Sequence, residues 1–99
     1  MGSSMGSAAL LMQSRMADAE GGSVDALFDL GIAYSTGGEG VDVDLVAAHK
    51  WFNLAALNGC ARGQECRADI ADEMSAREIA EAQKQARAWL AGTRTRLAA

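Results

Sequence analysis

Two observations predict an all-α fold, a short α-solenoid of about five helices paired as antiparallel hairpins. Apolar residues recur at the helical period along most of the chain, and glycine clusters rather than prolines punctuate them. Leu27, Leu30, Gly31 and Tyr34 stand at i, i+3, i+4 and i+7, one face of a helix. The chain of 99 residues has no proline, and its breaks fall at Gly21-Gly22, Gly37 to Gly40 and Gly59. An alanine-rich composition with 5% aromatic residues favours closely spaced helices over strands.

Residues 1–7 are small and polar and are expected to be a disordered leader. A first helix is predicted from Ala8 to Glu20, with Ser7 as N-cap and Leu11, Met12, Met16, Ala19 and the stem of Arg15 towards a partner helix. The second runs from Val24 to Thr36. Gly31 in its middle costs roughly 1 kcal/mol against alanine, so its use is steric: it lets a neighbouring helix approach. The third helix, Asp44 to Asn58 with Asp44 as N-cap, carries Leu45, Ala48, Phe52 and Ala55 on one face and Ala47, Trp51 and Leu54 on the adjoining one. An apolar arc that wide predicts packing on two sides. A fourth helix, Ala61 to Met74, has a thin stripe of Gly63, Cys66, Ile70 and Met74. A fifth opens on the capping box Ser75-Ala76-Arg77-Glu78, turns Ile79, Ala82, Ala86, Trp89 and Leu90 inward, and is expected to stop at Gly92, leaving 93–99 as a flexible tail.

Between Ala26 and Gly59 these residues fall into a pattern: Ala26, Phe28, Leu30-Gly31, Tyr34, Gly40-Val41, Asp44, Trp51, Ala55-Ala56 and Gly59. At that spacing they resemble the Sel-one-like repeat, a relative of the tetratricopeptide repeat. The resemblance implies a superhelical domain over 8–92, divided into a half repeat (8–22), a full repeat (23–59) and a degenerate C-terminal cap repeat (60–92). The loop Ser35 to Val41 is one residue longer than the family's, and Asp42 sits where proline is common. Ser14 stands where a tryptophan is expected, which suits an end position with one face lacking a neighbour. Members of this family hold other proteins, so the resemblance implies a non-catalytic scaffold whose first helices line a concave surface.

Charge and chemistry narrow the reading further. A formal net charge of -4 argues against nucleic acid, which needs clustered Lys and Arg; Arg94 and Arg96 are too small a cluster to reverse that. No stretch approaches a membrane span and Ala8 to Met12 is too short for a secretory signal, so the expectation is a cytoplasmic protein, or a periplasmic one if it is a piece of an exported parent. Cys60 and Cys66, on one helix, would place their Cα atoms about 9 Å apart, beyond the roughly 7 Å a disulfide spans. With a single histidine they make no zinc site. Cys66 is expected in the core and Cys60 nearer the surface. His49 lacks a serine or cysteine partner at any motif spacing and is expected on the exposed edge of its helix. Glu39, Asp42 and Asp44 lack the spacing of a calcium loop. No cofactor or metal is expected, and the tryptophans are core residues.

The favoured function is therefore a protein-binding scaffold. If the second and fourth helices line the groove, the positions left free by the core pattern are Asp25, Asp29, Ile32, Ala33 and Thr36, joined by Arg62, Glu65 and Asp69. Acids around an apolar patch predict a partner segment with basic residues flanking an apolar anchor. The alternative is a small self-associating module, a homodimer through a terminal helix such as the first, with its Leu10, Leu11, Met12 and Met16.

Overall fold

The structure, a computed structural model, describes residues 6–38 and 40–98. It is all-α: α1 (Gly6–Glu20), α2 (Val24–Thr36), α3 (Leu45–Leu57), α4 (Ala61–Ala71) and α5 (Ala76–Ala98), with no strand among the described residues. Of the leader, residues 1–5 lie outside the described part, and Gly6 and Ser7 already belong to α1, so Ser7 is not its N-cap.

Asp44 and the Ser75–Glu78 box cap α3 and α5 as expected, and α2 and α4 begin on Ser23 and Cys60, which the sequence reading does not single out. Ser23 accepts from the Ala26 amide at 3.1 Å, and Asp44 accepts from that of Ala47 at 3.0 Å. In the capping box the Glu78 amide donates to Ser75 Oγ at 3.1 Å while the Ser75 amide donates to Glu78 Oε1 at 2.8 Å, satisfying two amides that have no partner inside the helix. Gly37 ends α2 in the left-handed region at φ 75°, where the positive φ favours glycine. The Asp44 amide then donates to the Tyr34 carbonyl at 2.9 Å, closing the longer α2–α3 loop.

The turn into α2 and the turn into α4 are the same structure 37 residues apart, from Ser23 to Cys60. Gly22 N–H donates to Ala19 O as Gly59 N–H does to Ala56 O, and Ser23 N–H donates to Asp18 O as Cys60 N–H does to Ala55 O. Gly22 and Gly59 share a positive φ, 100° and 93°. Cys60 even takes the N-cap role of Ser23, its Sγ accepting from the Gly63 amide at 3.3 Å.

α3 is the centre of the packing: α2, α4 and α5 all lie on it, and α1 packs on α2. The core joins Leu27 and Leu30 of α2 to Trp51, Leu54 and Ala55 of α3 and Ala86 of α5, with Ala19 closing the α1 end. Gly31 meets the Phe52 ring and Gly63 meets Ala55 and the Phe52 carbonyl, so α2 and α4 approach α3 where neither carries a side chain.

Two expectations change at the C-terminal end. α5 packs chiefly on α3 rather than closing a hairpin on α4, because the thin stripe of α4 buries only Gly63 while α3 presents Trp51 and Leu54. It runs parallel to α3, with Glu78 near Asp44 at one end and Leu90 near Leu54 at the other. Helix α5 also passes through Gly92 and continues to Ala98. A single glycine within a helix costs only roughly 1 kcal/mol, and Thr93 Oγ1 donates to the Trp89 carbonyl at 3.0 Å across that turn. The tail expected over 93–99 is thus helical backbone as far as Ala98.

Candidate interaction surface

Asp25, Asp29, Ile32 and Thr36 follow one another down α2 at helical spacing on the side turned away from α3, and Phe28 stands at the edge of that side, between α3 and α4. Phe28, assigned by its spacing to the repeat signature, is only half-buried. One side of its ring meets Phe52, centroids 5.6 Å apart and tilted by 50°, and the Arg62 guanidinium of α4 lies 4.8 Å from its centroid. This stack is a direct contact between α2 and α4, both of which are held chiefly by α3. Ile32 is half-buried beside it, and its carbonyl accepts from both Ser35 Oγ at 3.0 Å and Thr36 Oγ1 at 2.9 Å.

The charged rim is partly engaged within the chain. Asp29 lies 3.8 Å from Arg15 of α1, whereas Asp25, Glu65 and Asp69 are exposed. Ala33 does not belong to this surface: at 1% exposure it is core, on the α1 side of α2. The structure therefore places Phe28, Ile32, Asp25 and Arg62 on a common face, puts Asp29 at its α1 edge and removes Ala33. Phe28 was hidden from sequence reasoning because an aromatic two residues after Ala26 reads as signature and core alike.

A second feature lies between α3 and α4. His49, expected on an exposed edge, is 4% exposed, and its Nδ1 is a buried polar atom without a hydrogen-bond partner. Next to it Arg67 donates to Asn53 Oδ1 at 2.7 Å and to Gln64 Oε1 at 2.6 Å. Burial holds the His49 imidazole below its usual pKa of 6.5, and the Arg67 charge adds to this. Shifted by 37 residues, His49, Asn53 and Arg67 are Met12, Met16 and Leu30, the apolar contact between α1 and α2. The same joint is polar the second time.

On the other side of α3, Trp51 and Trp89 pack edge to face with centroids 4.8 Å apart. Lys50 Nζ lies 4.3 Å from the Trp51 ring and 5.6 Å from that of Trp89, and burial lowers its pKa. Near the far end of this contact a cavity of about 160 Å³ opens between α1 and α5, floored by Leu27 and Leu54 and edged by Trp89 and Leu90. Cys60 and Cys66 are both free and half-buried. Burial raises the Cys66 thiol pKa, Arg62 opposes this, and Asp69, Glu65 and Cys60 add to it.

Among the described residues no three His, Cys, Asp or Glu side chains converge as a metal site; Glu39 of the acidic loop lies outside them. No helix of the described chain is long and apolar enough to cross a membrane. No family model, no curated protein and no solved structure matches the chain.

Proposed function

We propose that this chain is a non-catalytic protein–protein interaction module built on a Sel-one-like repeat, and that it holds a protein segment along α2 and α4. The observation that carries the reading is the half-buried aromatic and aliphatic pair, Phe28 and Ile32, beside exposed Asp25 and half-buried Asp29 on α2, with Arg62 on the Phe28 ring and exposed Glu65 and Asp69 further along α4. A central apolar anchor inside a charged rim is the usual anatomy of a binding surface. With a net charge of -4, encounter favours a basic partner. The segment that fits has Lys or Arg on either side of one large apolar residue.

Selection of displayed random peptides against the full chain tests this. The expected outcome is enrichment of basic–apolar–basic peptides whose binding is lost with Asp29→Lys and Ile32→Asp and kept with Lys84→Glu on the exposed side of α5. Equal binding by all three folded variants would remove the α2–α4 face as the site.

A second reading, a self-associating structural module, is favoured by the exposure of Leu10 and Leu11 on α1, 65% and 43%.

A further inference from the structure

The outer face of α1 takes no part in the α2–α4 surface. Leu10, Leu11, Ser14, Ala17 and Asp18 are all exposed on it. The 37-residue shift that superposes the two interhelical turns carries Leu11, Ser14, Ala17 and Asp18 onto Ala48, Trp51, Leu54 and Ala55. Those four are 3% exposed or less, covered by the helices packed on α3. Helix α1 therefore presents the side that its counterpart buries, and among the described residues Leu10, Leu11, Ser14, Ala17 and Asp18 stay exposed on it.

On α3 the matching side is covered by antiparallel α2 and by parallel α5; of the two directions, only the antiparallel one sets the large residues at one end of α1 against small ones at the other. A two-fold axis passing through Ser14 supplies an antiparallel helix from a second copy. The face has its large residues at one end, Leu10 and Leu11, and small Ser14 and Ala17 towards the other. In an antiparallel pair centred on Ser14, Leu11 falls opposite the partner's Ala17, and the same contact recurs on the other side of the axis. Leu11 then meets a small residue in both directions, as a self-complementary interface requires, and Leu10 lies at the rim beside the partner's Asp18.

We propose that the chain forms a two-fold dimer through antiparallel α1 helices crossing at Ser14. The proposal rests on the self-association reading and not on the α2–α4 face, which lies on another side of the molecule. Two helices of 15 residues pack along about 22 Å, which places the contact at the small end of specific interfaces, below roughly 1,200 Å² in total. The dimer is accordingly weak, populated at high micromolar concentration. Both copies carry a charge of -4, so added salt, by screening their repulsion, should strengthen it.

The test is made on the full chain with Cys60→Ser and Cys66→Ser, so that no other thiol intervenes. Ser14→Cys in this background should oxidise to a covalent dimer well beyond Leu57→Cys, a control whose leucine is 62% exposed on α3. Sedimentation equilibrium of the unaltered chain should fit a monomer–dimer scheme, with association weakened about tenfold or more by Leu11→Glu and by Ala17→Glu while helical content is unchanged. A monomer at every concentration, cross-linking of Ser14→Cys no greater than the control, or a dimer indifferent to both α1 variants would each overturn the proposal. Peptide binding by a strict monomer would overturn it and leave the α2–α4 reading standing; a dimer that binds no peptide would do the reverse.

Discussion

A Cβ placed on Gly31 would lie 2.5 Å from both Cδ1 and Cε1 of the Phe52 ring. Phe52 is 1% exposed and locked between α2 and α4, so its ring has no free direction in which to yield. Gly31→Ala should therefore destabilise the fold even though alanine gains roughly 1 kcal/mol in helix propensity, and Gly31→Leu should cost more, about 3 kcal/mol. Urea unfolding reads this as a lower midpoint at unchanged slope. A midpoint at or above that of the parent chain would mean that α2 and α3 are not in this close contact.

Trp51 supplies the largest side chain on the α5 side of α3, 3% exposed and edge-on to Trp89. Trp51→Ala should cost about 3–5 kcal/mol, a large part of the roughly 5–15 kcal/mol available to a small domain. Trp89→Ala, at a half-buried position, should cost less. Equal losses at the two sites would show that the contact, rather than the deeper burial of Trp51, carries the energy.

His49 makes stability depend on pH. Its pKa in the fold lies below the 6.5 of the free side chain, so the unfolded chain binds the proton more readily. Stability from this group is complete above about pH 6.5 and falls as the pH drops from there through the lowered folded pKa. His49→Met, which puts at this joint the residue that α1 has at Met12, should flatten that part of the melting-temperature profile. It should also raise stability by about 1 kcal/mol by removing a buried polar atom without a partner. A profile between pH 7 and 5.5 with the same slope in both proteins would show that the titration belongs to other groups.

The glycine turns, the caps of α3 and α5 and the inner faces of α2 and α3 were legible in the sequence because each depends on a few neighbouring residues. Asp44, the Ser75–Glu78 box and Gly31 act through local geometry that the residue type alone dictates. His49 and α5 were not legible in that way. Whether a histidine at the edge of a helical stripe meets water depends on the angle at which α4 crosses, and nothing within α3 encodes it. Gly92 reads as a stop, yet the turn around it holds. The α2–α4 face was half legible: its stripe of positions follows from the helical period, but the burial of Ala33 and the exposure of Phe28 depend on where α1 and α4 come to lie.

Cys60 offers a test of the cap. A thiol is a weak acceptor, and the Gly63 amide donates to it at 3.3 Å, whereas serine is among the best N-caps and fills the matching position at Ser23. Cys60→Ser should leave the fold intact and stabilise it by about 0.5 kcal/mol. Cys60→Ala should destabilise it by about 1 kcal/mol. A loss of stability in the serine variant would mean that packing of the sulfur outweighs its capping.

Arg62 decides how open the proposed peptide surface is. Its guanidinium lies 4.8 Å from the centre of the Phe28 ring, where an incoming lysine or arginine of the partner would also be drawn. It is at once a cover for the ring and a charge of the same sign as the partner. Arg62 is exposed, so removing it costs the fold little, on the order of 0.5–1 kcal/mol for the ring contact. It should, however, uncover Phe28 and make the rim more acidic. Arg62→Ala is therefore expected to tighten binding of a selected basic–apolar peptide by about threefold to tenfold, and Arg62→Glu by more, with the gain shrinking as salt is raised because its electrostatic part is screened. Fluorescence anisotropy with a labelled peptide measures both effects. If Arg62→Ala instead weakened binding at low salt, Arg62 would be a contact for an acidic group, and the charge assigned to the partner would have to be reversed.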